Sequence, residues 1–433
     1  MPVFWGCTIS NRLPFIEKTT LRVLEALGYE TCIPKGLTCC PDPVYGRGMD
    51  EIQWLTLAAR NLAICKDRGD DLLVPCNGCF ATFVKAVNEL KDLRVREEVN
   101  SHLKQLGLKY ESPPNFFHIL SFLDMIGPDR LKEKFIYLLG GLRVGVHYGC
   151  HILNTPAAAI DSSEQPSVFE RILALTGLEV VSYKEKSLCC GASIVTVDME
   201  GSLGLLRQKF RAAMEEGLDA LVLCCPLCFV QCDMEARKLE KNEVLPVFYI
   251  TEILALALGI HEKELNLDWH ANKPHALLKE KLKKTIRQEA VESILDLGRL
   301  RQCCGACSYE CSAAKGLQDN ENLRFDPMAI VHKVLDGRIE EVLQDPDIWR
   351  CLKCHECVKF CPSGEGLPLF FENLQKLALE MGVKAEAIEQ KLNLIQTIGL
   401  GIPRNVAIRK EFGLPALEPI ERKDLERLFK KTR

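Results

Sequence analysis

Cysteine recurs in this chain in an order that repeats itself. Cys7, the adjacent pair Cys39 and Cys40, and the spaced pair Cys76 and Cys79 form one set. Cys150, Cys189 with Cys190, and Cys225 with Cys228 form a second set, in the same order and with nearly equal gaps. Chance does not readily give two five-cysteine sets of matching layout. The chain holds 22 cysteines in 433 residues. A secreted disulfide scaffold with that much cysteine would be short and loop-rich, whereas this chain is long, aliphatic and rich in helix-period pattern. Clustered cysteine in such a chain reads as metal ligation or thiol chemistry in a reducing compartment.

The sequence around the sets repeats as well. A short β-like run precedes each first cysteine, at residues 3–5 and 142–147. A helical stretch then precedes each CxxC: Ile52, Leu55, Ala59 and Leu62 share one apolar face, as do Leu203, Leu206, Phe210 and Ala213. Buried-strand runs follow (DLLVP at 71–75, DALVL at 219–223), and each CxxC opens another helix. Alternating strand and helix predicts α/β units with parallel strands. Ligand sites in such sheets lie beyond the carboxyl ends of the strands, where these cysteines fall.

Isolated cysteines are often plain core residues. That reading suits Cys32 and Cys65, within a β-like run and a helix face, and Cys224 at a strand end; Cys232 stays open. It does not suit adjacent pairs in a Pro/Gly-rich loop such as TCCPDPVYG. A cubane 4Fe-4S cluster or a structural zinc takes four ligands, yet each set supplies five. Either one thiol is free for redox work or the cluster is larger or differently shaped. Two such sites suit a two-electron reaction such as disulfide cleavage, with one electron delivered at each sulfur. His147 and His151 flank Cys150; a ligand or proton-donor role competes with an ordinary hydrogen-bonded structural role.

The words GCTISNRLPFIEKTT, TCCPDP, TLAARNL, CNGCF, VHYGCH, LCCGA and CPLCF carry a resemblance. Over roughly residues 1–255 the chain resembles the CCG-type cysteine-rich domain, present twice in the B-type subunit of heterodisulfide reductase. The resemblance implies a noncubane 4Fe-4S cluster in each domain, with a disulfide cleaved between the two. It implies Cys7, Cys39, Cys40, Cys76 and Cys79 for one cluster, and Cys150, Cys189, Cys190, Cys225 and Cys228 for the other, all ten with a catalytic part. One departure follows Gly191. Methanogen enzymes have a glycine-rich stretch there, and this chain reads Ala192, Ser193, Ile194, Val195, Thr196. The bulkier side chains argue against the methanogenic heterodisulfide as substrate and leave the clusters unaffected.

Two further groups of cysteines lie near the C-terminus. Cys351, Cys354, Cys357 and Cys361, followed by Pro362, match the bacterial two-cluster ferredoxin run. The earlier group reads Cys304, Cys307 and Cys311 in that register, with Arg301 where a cysteine belongs and Cys303 as its expected replacement. The fourth cysteine of each run ligates the other cluster. One cubane then takes Cys351, Cys354, Cys357 and Cys311. The other takes Cys304, Cys307, Cys361 and Cys303, with a three-iron cluster, or an oxygen ligand such as Asp296, as the alternatives. The helix-rich spacer between the runs resembles the helical ferredoxin of the C-type subunits of heterodisulfide reductase. That resemblance implies a flavin-containing A-type subunit as partner, with further donor subunits of hydrogenase or formate dehydrogenase type.

The expected fold is therefore an α/β tandem CCG repeat with pseudo-two-fold symmetry, followed by a mostly α-helical ferredoxin domain. Its expected limits are 1–141 and 142–265 for the two CCG domains, 266–300 for a helical linker and 301–433 for the ferredoxin domain and tail. A net charge of −4 gives no basic field for nucleic acid. No secretory signal opens the chain, no apolar stretch reaches spanning length, and a cytoplasmic protein is expected. Gly46, Arg47 and Gly48 lack the third glycine and the strand-to-helix setting of a dinucleotide site, so no flavin or nicotinamide is expected in this chain. The leading expectation is a disulfide oxidoreductase acting on a small organic disulfide or thiol within a complex. The competing ones are a non-catalytic electron conduit, the iron–sulfur subunit of another CCG-domain oxidoreductase such as a 2-hydroxy acid dehydrogenase, and a colourless zinc scaffold.

Overall fold

The structure is a computed structural model that describes residues 1–41, 48, 50–153, 160–162, 164–302, 304–317, 325–361, 366–383, 385–398 and 410–413. Cys303, Pro362 and the Gly46-Arg47 pair lie outside the described residues. The chain divides into two compact units, Met1–Arg287 and Gln288–Arg433.

The first unit is mixed α/β with parallel sheets. β1 (Asp71–Val74) pairs in parallel with β2 (Asn115–His118). On the other side of β1, Val3 bridges Leu73 in parallel, and Pro2 bridges Cys32 in parallel. The β-like run at 3–5 is thus reduced to isolated bridges, because Pro2 has no N–H to extend the ladder. In the second half, β4 (Arg143–His147) lies between β5 (Glu179–Val180) and β6 (Ala220–Leu223), and β7 (Val247–Tyr249) closes the sheet, all in parallel. The sequence of neighbours is the same in both halves: a short outer partner, the strand before the first cysteine, the strand before CxxC, and a last strand that runs into a helix. Those closing helices are Ile119–Ile126 and Ile250–Ala257.

β1 and β6 are buried because nothing polar interrupts them: Leu72 to Val74 and Ala220 to Leu223 are inaccessible. Helices Glu51–Lys66 and Met199–Glu215 lead into them. Asp50 and Asp198 cap their N-termini by accepting from Gln53 N (2.9 Å) and Gly201 N (2.8 Å). Leu55, Ala59, Leu62, Leu206, Phe210 and Ala213 are buried, which is the apolar face expected from their spacing.

The segment read as a helical linker departs from that expectation. After helix His275–Lys281, residues Lys283–Ile286 form β8, which pairs antiparallel with β3 (Tyr137–Gly140) inside the first unit. The physical reason is local: Thr285 and Ile286 are β-branched, and Ile286 is buried. Cys32 also departs, since it is exposed, whereas Cys65, Cys224 and Cys232 are buried.

A buried acid–base pair fixes the start of the helix at Ile250. Glu252 and His270 are both inaccessible, with His270 Nε2 2.8 Å from Glu252 Oε1, while Glu252 Oε2 accepts from Tyr249 N at 2.8 Å. Burial alone would lower His270, but the charge and hydrogen bond of Glu252 outweigh it and the imidazole is raised above its ordinary value. A raised folded-state pKa gives stability that is complete below the unfolded value of about 6.5 and is lost as pH rises through the folded value. Thermal melts of the protein should therefore fall in midpoint above neutral pH. Glu252→Ala should remove that slope and cost about 3–5 kcal/mol, as expected when one partner of a buried pair is deleted. An unchanged slope in the variant would assign it to another group.

The second unit is helical among its described residues. Asp326 caps helix Pro327–Leu335 by accepting from Met328 N (2.9 Å), with Pro327 opening it. That helix, Ile339–Gln344 and Pro368–Glu380 enclose Ile330, Val331, Val334, Val342, Leu343, Phe371 and Leu374. Among the described residues, no helix is long and apolar enough to cross a membrane.

Candidate metal centres

Each five-cysteine set is gathered at the carboxyl ends of its strands. Cys76 follows β1 and opens helix Asn77–Glu89; Cys225 follows β6 and opens helix Pro226–Phe229. The first helix runs on unbroken, whereas the second widens into a π-helical turn at Val230–Met234. Both sets show one gradient of exposure. Cys40, Cys76 and Cys79 are buried, as are Cys190, Cys225 and Cys228. Cys7 is exposed, and Cys39, Cys150 and Cys189 are half-buried. Each set has three inner thiols and two that solvent reaches.

The thiols are close to one another. Cys7 and Cys39 Sγ are 3.7 Å apart, and Cys190 and Cys228 Sγ are 3.4 Å apart. Hydrogen bonding from Cys39 and Cys79 pulls Cys40 down to about 6, and Cys150 and Cys190 do the same for Cys189, down to about 2. Each set thus favours at least one thiolate, the form that binds metal. Cys76 and Cys225 perturb one another directly, so the inner faces of the two sets meet.

Glycine makes room for this crowding. Gly6 precedes Cys7 at φ +67°, and a Cβ there would lie 2.7 Å from Cys79 Sγ. Gly149 precedes Cys150 at φ +80°, and a Cβ there would lie 3.3 Å from Cys228 Sγ and 2.6 Å from Asn77 Nδ2. Only a residue without a side chain fits there with a left-handed backbone.

Polar groups that the sequence did not single out join the sets. His118 Nε2 lies 2.9 Å from Asn77 Oδ1, and Asn77 Nδ2 donates to Tyr148 O at 2.6 Å. The Tyr249 hydroxyl sits 2.6 Å from Pro75 O and 3.1 Å from Cys224 O. Cys224 Sγ lies 3.3 Å from Tyr148 O, which fits the strand-end core position expected for it. These bonds tie the loop that carries Cys76 to the turn that carries Cys150.

The second set also has a charged and a neutral neighbour. Lys209 is inaccessible, and its Nζ donates to Glu185 O (2.5 Å) and Lys186 O (3.3 Å). Burial lowers it to about 8, against the raising effect of Cys232, Cys190 and Cys228, so it is mostly charged at neutral pH. His147 is buried at the end of β4, and burial pushes it down to about 3. His151 Nδ1 is 3.7 Å from Cys150 Sγ.

In the second unit, burial raises Cys351 and Cys357, and the charges of Cys311 and Cys354 raise both further, so the four thiols lie within electrostatic reach of one another. Gly366, at φ +57°, makes room for Cys357, since a Cβ there would lie 2.9 Å from its Sγ. Helix Ala306–Tyr309, which carries Cys307, packs against helix Glu356–Phe360. Cys304 is exposed and Cys361 half-buried. Arg301, at the place of a missing cysteine, pairs with Glu292 at 2.6 Å, and Asp296 pairs with Arg299 at 3.0 Å.

The donor sets fit iron–sulfur clusters: soft thiolates cradled by glycines, with one sulfur more in each five-cysteine set than a tetrahedral zinc takes. Comparison with known proteins agrees. The family described as "Cysteine-rich domain" (CCG) matches residues 1–84 and 144–233. The chain is 34% identical over 280 residues to the B-type subunit of a ferredoxin/F420H2-dependent CoB-CoM heterodisulfide reductase of Methanosarcina acetivorans, covering 63% of this chain and 93% of that one. It is 29% identical over 270 residues to an 8-methylmenaquinol:fumarate reductase membrane anchor subunit of Wolinella succinogenes, covering 61% of this chain and 94% of that one. It is also 29% identical over 129 residues to the C-type iron–sulfur subunit of a CoB-CoM heterodisulfide reductase of Methanocaldococcus jannaschii, covering 28% of this chain and 66% of that one. Clustered thiols and CCG domains together define an iron–sulfur oxidoreductase subunit of the kind that works within a complex. The chain belongs to the family of B-type heterodisulfide reductase subunits, with similarity to the C-type subunit in the same polypeptide.

Proposed function

We propose that this chain is the catalytic and electron-wiring subunit of a heterodisulfide-reductase-like complex, and that it cleaves or forms a small organic disulfide. The reading takes residues 1–141 and 142–265 as two cysteine-rich domains related by a pseudo-two-fold axis and 301–433 as a two-cluster ferredoxin domain, with the segment up to Arg287 belonging to the first unit. It assigns a noncubane 4Fe-4S cluster to each five-cysteine set and two cubane clusters to the C-terminal cysteines. The further partners are a flavin-containing A-type subunit and donor subunits of hydrogenase or formate dehydrogenase type, in the cytoplasm.

One observation carries the reading: both sets have outer thiols open to solvent, and their inner thiols meet at Cys76 and Cys225. Breaking a disulfide takes two electrons, and the bound clusters would supply them singly. Two adjacent centres meet that need. The chain's own part is to hold the thiolates, to keep water from Cys40, Cys76, Cys79, Cys190, Cys225 and Cys228, and to leave access at Cys7, Cys39, Cys150 and Cys189.

The reading is tested by adding candidate disulfides to reduced, anaerobic holoprotein. Oxidation of the signals from the five-cysteine sets is expected, with a changed EPR spectrum on adding the thiol product. A conduit role is the second reading. It draws on the short helical turn Ala192–Ile194, with Ile194 exposed where methanogen enzymes have a glycine-rich stretch, and on the fumarate reductase relative. If no disulfide oxidises the signals and thiols leave them unchanged, while electrons still reach a partner, the conduit reading holds.

Lys209 gives a second measurement. A buried unit charge within about 10 Å at an effective dielectric near 20 is worth about 1.7 kcal/mol, on the order of 70 mV for a one-electron couple. Lys209→Met should lower the midpoint potential of the second set by that order and leave the first set unmoved. A redox titration followed by EPR reads both; an equal shift in the two would show a general loosening of the fold.

A further inference from the structure

The repeat pairs most residues around the two sets, and at one buried position it pairs unlike chemistry. His147 lies three residues before Cys150, where Phe4 lies three residues before Cys7. Phe4 is fully buried and packs edge-on against Phe83, with ring centroids 4.7 Å apart. It offers nothing to a metal. His147 is equally buried, but a ring nitrogen of it and the thiols of Cys190 and Cys228 all lie within 4.8 Å of one another.

The two nitrogens of His147 differ. Nδ1 is 3.4 Å from Lys186 O, a carbonyl that only accepts, so Nδ1 carries the proton. Nε2 is buried and has no hydrogen-bond partner among the described residues. A neutral imidazole whose Nδ1–H is anchored on a backbone carbonyl presents its Nε2 lone pair in a fixed direction. Metal-bound histidines are oriented by that same outer contact.

We propose that His147 Nε2 is an iron ligand of the second five-cysteine set, with no counterpart in the first. The inference rests on the iron–sulfur reading of that set and adds a nitrogen to its sulfur ligands. It makes the two centres unequal. The second set then has a nitrogen donor beside its five sulfurs, whereas the first has sulfur alone.

The test uses anaerobic full-length holoprotein carrying 14N- or 15N-histidine, reduced stepwise and examined by pulsed EPR, with iron and sulfide counted per chain. A strongly coupled nitrogen that changes with the isotope is expected in one of the two centres. His147→Phe should abolish it and lose at most one iron per chain. His147→Cys should abolish it and keep the iron. His151→Ala should leave it in place, which separates the two histidines near Cys150. No strong coupling in the wild-type protein, or coupling that survives in His147→Phe, overturns the assignment while leaving the clusters standing. Wild-type protein whose iron does not exceed what the C-terminal cysteines hold overturns the cluster reading, and this ligand with it.

Discussion

Cys228→Ser should lose disulfide turnover to background while the iron–sulfur signals of residues 288–433 remain. Cys228 is buried, its Sγ is 3.4 Å from Cys190 Sγ, and Gly149 leaves it space. A serine hydroxyl is a hard, weakly acidic donor in place of a soft thiolate, and no water reaches the position to substitute for it. The second set should lose iron, and the first set alone cannot deliver both electrons at once. Iron and sulfide per chain, EPR of the reduced protein and disulfide-dependent oxidation read the three parts of this expectation. Turnover above background in a variant that has lost the second cluster would refute the two-centre reading outright.

Cys354→Ala should have an equally large effect at the other end of the chain. Cys354 neighbours Cys351, Cys357 and Cys311, and removing one of four thiolates should remove that cubane. Reduction by a protein donor should fall to background, whereas a small low-potential dye should still reduce the five-cysteine sets directly. The contrast between the two reductants is the measurement. Unchanged iron per chain would reject the four-ligand assignment, and undiminished reduction by the protein donor would place electron entry elsewhere.

Much of the first unit was legible because its signals are local. The CxxC words, the strands before them and the helix faces of Leu55, Leu62, Leu206 and Phe210 follow from spacing within a few residues. What was not legible depends on distant partners. Asn77 is one residue inside CNGC, and nothing near it announces His118 or Tyr148 O as its neighbours. Lys209 lies on a helix face next to Phe210, where a lysine is ordinarily solvated, yet two carbonyls from residues 185 and 186 take up its ammonium. The strand at Lys283–Ile286 read as helix because its lysines continue the charged pattern of the preceding turn. Cys32 sits in an apolar-looking run, but the run forms only a single bridge and leaves the thiol open. The spacing of Cys351, Cys354, Cys357 and Cys361 is itself a local signal, and Cys303→Ser tests the expected replacement at the place of Arg301.

The first unit ends on a strand that is hydrogen-bonded into it, and the second begins at the very next residue after Arg287. Where donor and acceptor modules are separate proteins, their encounter depends on how much of each a cell makes and on how dilute the complex becomes. Here the ratio is fixed at one to one by translation. A short covalent tether holds the partner at an effective concentration on the order of millimolar, whatever the dilution outside. Electron delivery between the modules should therefore be first-order and insensitive to protein concentration. Proteolytic cleavage after β8 should convert it to a second-order process, with no change in any cluster.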